Sequence, residues 1–187
     1  MDIVKEARKL AVSEIDKYGL PNIVHFEISE NKAVELAEKL GADKMIVRVG
    51  ACLMDLKLGQ AFKEKRMAEH VAMSVEAAKE FLDQFDIDDA SKEKIVNCVE
   101  AHHGGPYKCT EAEICANADC YRFIHPKGFF AYLTVLGGGR FTDFTDALNA
   151  AEKKMDEKYD VLSLDVCKEE LGEYYKTLKG FIEDSKK

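Results

Sequence analysis

The chain has 187 residues, of which 47% are hydrophobic, and a formal net charge of −8 at pH 7. A chain of this length and composition can bury one good core, so we expect a single domain over residues 1–187. Its acidic residues are spread along predicted helix faces, which argues against general nucleic-acid binding.

Hydrophobic residues recur with a helical period along the chain, which contains only three prolines. This pattern predicts an all-α protein. No apolar run approaches the length of about 20 residues that spans a bilayer, and no signal-peptide core follows the N-terminus, so we expect a cytoplasmic protein without membrane contact. Most of the six cysteines should then be reduced and buried as small apolar groups, and the C-x5-C-x4-C cluster lacks the C-x-x-C pairs of common zinc sites. The clustered cysteines are Cys109, Cys115 and Cys120.

The first two predicted helices cover residues 2–18 and 25–40, and each is followed by a glycine. The first is amphipathic and carries no evident chemistry. In the second, His25 falls on the inward stripe of apolar residues. A histidine in that place is more often a hydrogen-bonded core residue than a metal ligand, so both interpretations stay open.

The third predicted helix, residues 43–58, is the most apolar segment, and Asp55 interrupts it between Met54 and Leu56. A carboxylate in apolar surroundings must find a partner or take up a proton. A metal ion would be one such partner. A hydrogen-bonded structural acid and an exposed edge position are the alternatives.

The next two predicted helices lead to three of the five histidines. Residues 65–85 follow a polar stretch and carry His70. A further helix, with Ser91 as its predicted N-cap, ends at His102 and His103. Consecutive side chains on a helix point 100° apart, so this pair can bind one ion only near the helix end. Favourable interaction with the helix dipole would explain the pair equally well.

The last part of the chain begins with a predicted helix over residues 110–124, in which Asp119 stands among small apolar neighbours. His125 is expected to lie in a loop that ends this helix. A glycine run before Arg140 is either a phosphate-binding backbone or, more often, a flexible loop. Residues 143–181 are amphipathic and should pack across the bundle.

The order of these polar positions resembles the motifs of the HD-domain metal-dependent phosphohydrolase superfamily. The positions are His25, Met54-Asp55, His70, His102-His103 and Asp119. The resemblance covers residues 20–125 and implies an HD-type helical bundle in one domain. Residues 20–125 would then form the core with the metal site, and residues 126–187 a C-terminal helical extension packed on it.

One departure from the superfamily pattern concerns its signature His-Asp pair. Met54 stands in the place of the histidine, and a thioether is a poor ligand for hard or borderline divalent ions. The lysine that the superfamily has three residues beyond the aspartate is also missing, because position 58 is leucine.

The resemblance implies a set of metal ligands in two overlapping halves. One half, with Asp55 and the three later histidines, is complete; the other keeps only His25, Asp55 and Asp119. The implied ligands are His25, Asp55, His70, His102, His103 and Asp119. Asp55 and Asp119 are also the implied catalytic carboxylates. The cofactor would be a divalent ion (Mn, Fe, Ni, Co, Zn or Mg), and one bound ion is favoured over two.

The implied activity is hydrolysis of a nucleotide or another small phosphoester by a metal-activated water. The substrate phosphate needs local positive charge in an acidic protein, for which Arg122, Lys127 and Arg140 are the candidates. The alternative is a catalytically degenerate HD-fold protein that binds a nucleotide or a partner protein, as loss of the signature histidine would allow. A homodimer is compatible with either function.

Overall fold

The computed structural model describes residues 2–187, and this part of the chain contains helices and turns but no strands. The prediction of an all-α protein is therefore confirmed. The α-helices are α1 (Ile3–Tyr18), α2 (Ile23–Leu40), α3 (Lys44–Leu53), α4 (Leu58–Lys63), α5 (His70–Leu82), α6 (Asp89–Glu100), α7 (Thr110–Ile124), α8 (Pro126–Gly137), α9 (Phe144–Val161) and α10 (Asp165–Ser185). A short 3-10 helix, Met67–Glu69, leads directly into α5.

Helix α7 is the centre of the bundle. It packs against α2, α3, α6, α8, α9 and α10, and nearly all of its residues are buried. Small residues such as Ala112, Ala116 and Ala118 let the neighbouring backbones approach it closely. Because the helix is enclosed on all sides, its polar residues Asp119 and Arg122 lie deep inside the molecule.

Side-chain caps explain where α2, α3 and α6 begin, the three helices that carry His25 or lead to Asp55 and to the histidine pair. Asn22 accepts a hydrogen bond from the backbone N–H of Val24 at 2.8 Å and so starts α2 just before His25. Asp43 caps α3 in the same way. Asp88, rather than the predicted Ser91, caps α6, and its carboxylate accepts from the N–H of Ser91 at 2.9 Å.

Three helix boundaries near the predicted site differ from the prediction. The helix predicted to end at His102 and His103 ends at Glu100, and the pair lies in the turn that follows. The predicted helix over residues 43–58 ends at Leu53, and a turn that contains Asp55 separates it from α4. The predicted helix over residues 65–85 begins at His70, after Lys65 has taken the left-handed conformation with φ 59°. Each break places a turn at or just before one of the predicted metal ligands, whereas the hydrophobic pattern continues across the break.

Helix α8 was not predicted. His125 lies outside the helices as expected, but its ring nitrogen accepts the N–H of Lys127 and Pro126 occupies the first helical position. Proline is well suited to that position because its missing N–H would have no partner there. The sequence His125-Pro126 therefore ends one helix and starts the next.

The six cysteines are free thiols, and all except Cys109 are buried. They pack as small apolar groups, as the sequence predicted. Among the residues described, no helix combines the length and the apolar character that crossing a membrane requires.

Candidate metal centre

Asp55, His70, His102 and His103 meet at one point in the fold. One ligand atom from each lies within 4.8 Å of the others. Asp55 comes from the turn after α3, His70 is the first residue of α5, and the two adjacent histidines lie in the turn after α6. Because α6 has already ended at Glu100, the adjacent side chains are free to face the same point.

Hydrogen bonds to backbone carbonyls determine which ring nitrogen carries the proton in two of these histidines. The Nδ1 atom of His70 lies 2.7 Å from the carbonyl oxygen of Met67, and that of His102 lies 2.7 Å from the carbonyl oxygen of Val99. A carbonyl oxygen can only accept, so Nδ1 carries the proton in both rings. In the neutral rings the Nε2 lone pairs are therefore available, as in histidines that bind metal ions.

These two Nε2 atoms face a buried carboxylate oxygen. Asp55 Oδ1 lies 3.4 Å from His102 Nε2 and 3.8 Å from His70 Nε2. Within residues 2–187, neither Asp55 Oδ1 nor His102 Nε2 has a hydrogen-bond partner, although both are buried. Three electron-pair donors that face one another need a cation or a proton between them. This donor set fits a divalent ion.

His103 is arranged differently from the other two histidines. Its Nδ1 atom lies 2.7 Å from the Nζ of Lys158, and its Nε2 lies 2.9 Å from the Nε2 of His70. An ammonium group can only donate, so the proton of the neutral His103 ring lies on Nε2. Asp55, His70 and His102 are thus preformed ligands. His103 would have to shift its proton from Nε2 to Nδ1, and so lose the hydrogen bond from Lys158, before its Nε2 could become a fourth ligand.

Two cations neutralise the carboxylates of the site. Arg122 contacts both Asp55 and Asp119 through its Nη1 atom, at 2.6 Å from Asp119 Oδ1, and Lys158 forms an ion pair with the other oxygen of Asp119. All four side chains are buried. Burial alone would raise the pKa of both carboxyls, but the nearby cations outweigh it and hold each pKa below its ordinary value.

His25 lies apart from the cluster. Its Nε2 atom donates to the carbonyl oxygen of Gly128 at 2.9 Å, and its ring packs edge-on against Phe123. The side chain is only 3% exposed. These are the contacts of a hydrogen-bonded core residue, one of the two interpretations that the sequence left open.

Acid should destabilise the fold through His25. Burial, reinforced by the positive charge of Arg122, lowers the pKa of His25 to about 4. The unfolded chain therefore binds a proton below pH ~6.5 that the folded chain does not, and stability falls by about 2 kcal/mol from pH 7 to pH 5. Urea unfolding across this range should show a smaller loss for His25→Gln, which can still donate to Gly128 but does not titrate. Parallel pH profiles for the two proteins would contradict this.

Met54 supplies none of the converging ligand atoms. It is 1% exposed and lines a small cavity together with Ala11, Ile15 and Phe26 and with Asp55 and Arg122. In this position the thioether acts as a core side chain.

A cavity of about 140 Å³ opens beside the cluster. Its walls include Asp55, His70, His103 and Asp119 on one side and apolar side chains such as Phe123 and Tyr132 on another. Four cationic side chains also line it: Arg122, Arg140, Lys154 and Lys158. An anionic ligand would therefore meet positive charge here, although the whole chain is acidic.

The predicted phosphate-binding residues have three different surroundings. Arg140 lines the cavity and stacks over the ring of Phe62. Arg122 also lines it, but two carboxylates already engage its guanidinium group. Lys127 is exposed and is not part of the cavity wall.

Lys158 is the site residue that the sequence interpretation missed. It is 2% exposed and lies on the inward face of α9 with Ala147, Ala151 and Met155. These four residues follow one another at intervals of four, four and three, so the lysine lies on an apolar stripe of the helix. A lysine in that position indicates a buried cation with an anionic partner.

Known proteins resemble this chain in sequence and in fold. No protein-family model matches the sequence. Over 110 residues, 58% of this chain, the sequence is 32% identical to Ribonuclease Y of Finegoldia magna. The chain spans about a fifth of the length of that relative, since the aligned part is 20% of it.

Solved structures resemble the whole bundle. Bacillus subtilis YpgQ matches with a TM-score of 0.66 and 19% identity, over 98% of this chain and 95% of that chain. Its complex with ADP matches with a TM-score of 0.68 at 19% identity over the same shares. A predicted HD superfamily hydrolase from an uncultured Thermotogales bacterium matches with a TM-score of 0.61 and 18% identity, over 83% and 84% of the two chains. These likenesses show that the chain has the all-helical fold of the HD-domain structures.

Proposed function

We propose that this protein is a metal-dependent phosphohydrolase that binds one divalent ion through Asp55, His70 and His102, with His103 as a fourth ligand. The observation that carries the proposal is the buried, unpartnered Asp55 Oδ1 atom, which faces the Nε2 atoms of His102 and His70. Imidazole nitrogens favour Mn, Fe, Co, Ni or Zn over Mg, which prefers oxygen ligands.

The chain's own residues provide the binding and the orientation. The carbonyls of Met67 and Val99 hold the rings of His70 and His102 in place. Arg140 and Lys154 line the adjacent cavity and supply positive charge toward a substrate phosphate. When bound, the divalent ion would lower the pKa of a water molecule and polarise the phosphoryl group.

The related proteins support a phosphoester substrate. The Thermotogales structure is named as a hydrolase, Ribonuclease Y is a nuclease by name, and YpgQ has been solved with ADP. For this chain we propose a small phosphoester, in the first place a nucleotide, with a phosphodiester as a further substrate to be tested.

The proposal can be tested on the metal-stripped protein. Calorimetric titration with each ion (Mn, Fe, Co, Ni, Zn and Mg) should show one bound ion for at least one transition metal. The loaded protein should then hydrolyse p-nitrophenyl phosphate, its bis-ester or one of the nucleoside mono-, di- and triphosphates. His102→Gln should abolish both binding and hydrolysis, while His125→Gln, which alters a histidine outside the cluster, should preserve both. Absence of binding and of hydrolysis with every ion would contradict the proposal.

A second function is favoured by the position of Met54, which lies in the core and offers no ligand. In that case the protein would bind a nucleotide or a partner protein without hydrolysing it. Titration with ADP distinguishes the two functions: stoichiometric binding without turnover under any ion supports the second one, and turnover supports the first.

A further inference from the structure

We propose that the guanidinium group of Arg122 is a built-in cation that occupies the position between Asp55 and Asp119 and closes it to a metal ion. The proposal deepens the proposed function, on which it rests for the single ion at the histidine cluster. Whether the guanidinium group takes the place of a second metal ion is tested by a different experiment from the one for the histidine cluster.

The atoms that could bind a metal ion between Asp55 and Asp119 already contact other groups of the protein. His25 uses Nε2 to donate to the carbonyl of Gly128, and the two oxygens of Asp119 contact Arg122 and Lys158. The remaining oxygen of Asp55, Oδ2, also contacts Arg122. Accordingly, the ligand atoms that converge belong to Asp55, His70, His102 and His103, and neither His25 nor Asp119 is part of that group.

The charges at this position already balance. The carboxylates of Asp55 and Asp119 carry two negative charges, and the side chains of Arg122 and Lys158 carry two positive ones, all in a buried environment. A divalent ion placed here would lie beside two like charges with poor screening. It could bind only if the guanidinium group moved away.

Local helix geometry explains how Arg122 reaches both carboxylates. It lies three residues after Asp119 on α7, a spacing that brings the two side chains to the same helix face. The guanidinium group then extends from α7 to Asp55 in the turn after α3. Met54 lines a small cavity together with Asp55 and Arg122 but offers only a thioether, so the position lacks a fourth ligand.

Metal stoichiometry under Mn²⁺ tests this assignment directly. Titration calorimetry and elemental analysis should give one ion for the wild-type protein and one for Met54→His, because the guanidinium group is still present. The double variant Met54→His with Arg122→Met should bind two ions. Met54→His with Arg140→Met is the matched control, since Arg140 lines the same cavity but contacts neither carboxylate, and it should bind one.

Electron paramagnetic resonance of the Mn²⁺-loaded wild-type protein gives a readout that requires no variant. We expect the spectrum of isolated Mn²⁺, without the coupling of two neighbouring ions. Two ions in the wild-type protein, or a second ion gained by Met54→His alone, would overturn the proposal. If the wild-type protein binds no ion, the proposed function fails, and the assignment of Arg122 is still decided by whether removing it adds an ion to Met54→His.

Discussion

Replacing Asp55 with asparagine should weaken binding of the divalent ion by at least about 100-fold and reduce hydrolysis to background. The carboxylate is the only anionic member of the cluster, and its Oδ1 atom faces the Nε2 atoms of both preformed histidine ligands. Asparagine keeps the shape of the side chain but removes the charge that attracts the ion. Calorimetric titration of the metal-stripped variant and a phosphatase assay at saturating metal measure the two effects.

The matched control is Asp16→Asn, which makes the same chemical change on the exposed face of α1. It should leave metal affinity and hydrolysis unchanged. Wild-type affinity in the Asp55→Asn protein would show that the ion is held elsewhere.

Replacing Asp119 with alanine should lower the free energy of unfolding by about 3–5 kcal/mol, because it leaves buried positive charge without a partner. Lys158, which is 2% exposed, would lose the carboxylate that pairs with it, and Arg122 would keep its contact with Asp55. Equilibrium unfolding in urea with the metal-stripped protein gives the free energy without a contribution from bound ions.

A second substitution separates lost charge balance from lost packing. Lys158→Met removes the unpaired cation, so in the Asp119→Ala background it should restore part of the lost stability, whereas in the wild-type background it should be destabilising. Glu157→Ala, which breaks the exposed pair with Lys154, should cost less than about 1 kcal/mol. A loss below about 1 kcal/mol for Asp119→Ala would mean that the buried cations find other partners.

Much of the fold could be predicted because its signals are local. The period of the hydrophobic residues and the glycines after α1 and α2 predict the helices within a few residues. The sequence does not show the break after Leu53 because the apolar pattern of α3 continues through the turn to Leu58, and only tertiary contacts decide where the chain bends. Most of α4 falls in the polar stretch that precedes the helix predicted over residues 65–85. Helix α8 was missed because His125-Pro126 was interpreted only as a stop, although proline also begins helices.

The histidine cluster could be proposed from the sequence, but its charge balance could not. The order of the polar positions placed Asp55 together with the three histidines, which the structure indeed brings within 4.8 Å. Arg122 was considered only as a phosphate ligand. Its position three residues after Asp119 already indicated an ion pair on one helix face, but the contact with Asp55 depends on how α7 packs against the turn after α3. Lys158 comes from a distant helix and has no short-range signal that links it to His103.

The contact between Lys158 and His103 also limits how far the protein chain could be truncated from its C-terminal end. All six ligands implied by the sequence precede residue 125, so a fragment that ends there would contain every one of them. It would lack α9 and hence the ammonium group that pairs with Asp119 and fixes the proton of His103. The smallest fragment that retains both the donor atoms and their charge balance therefore extends through α9.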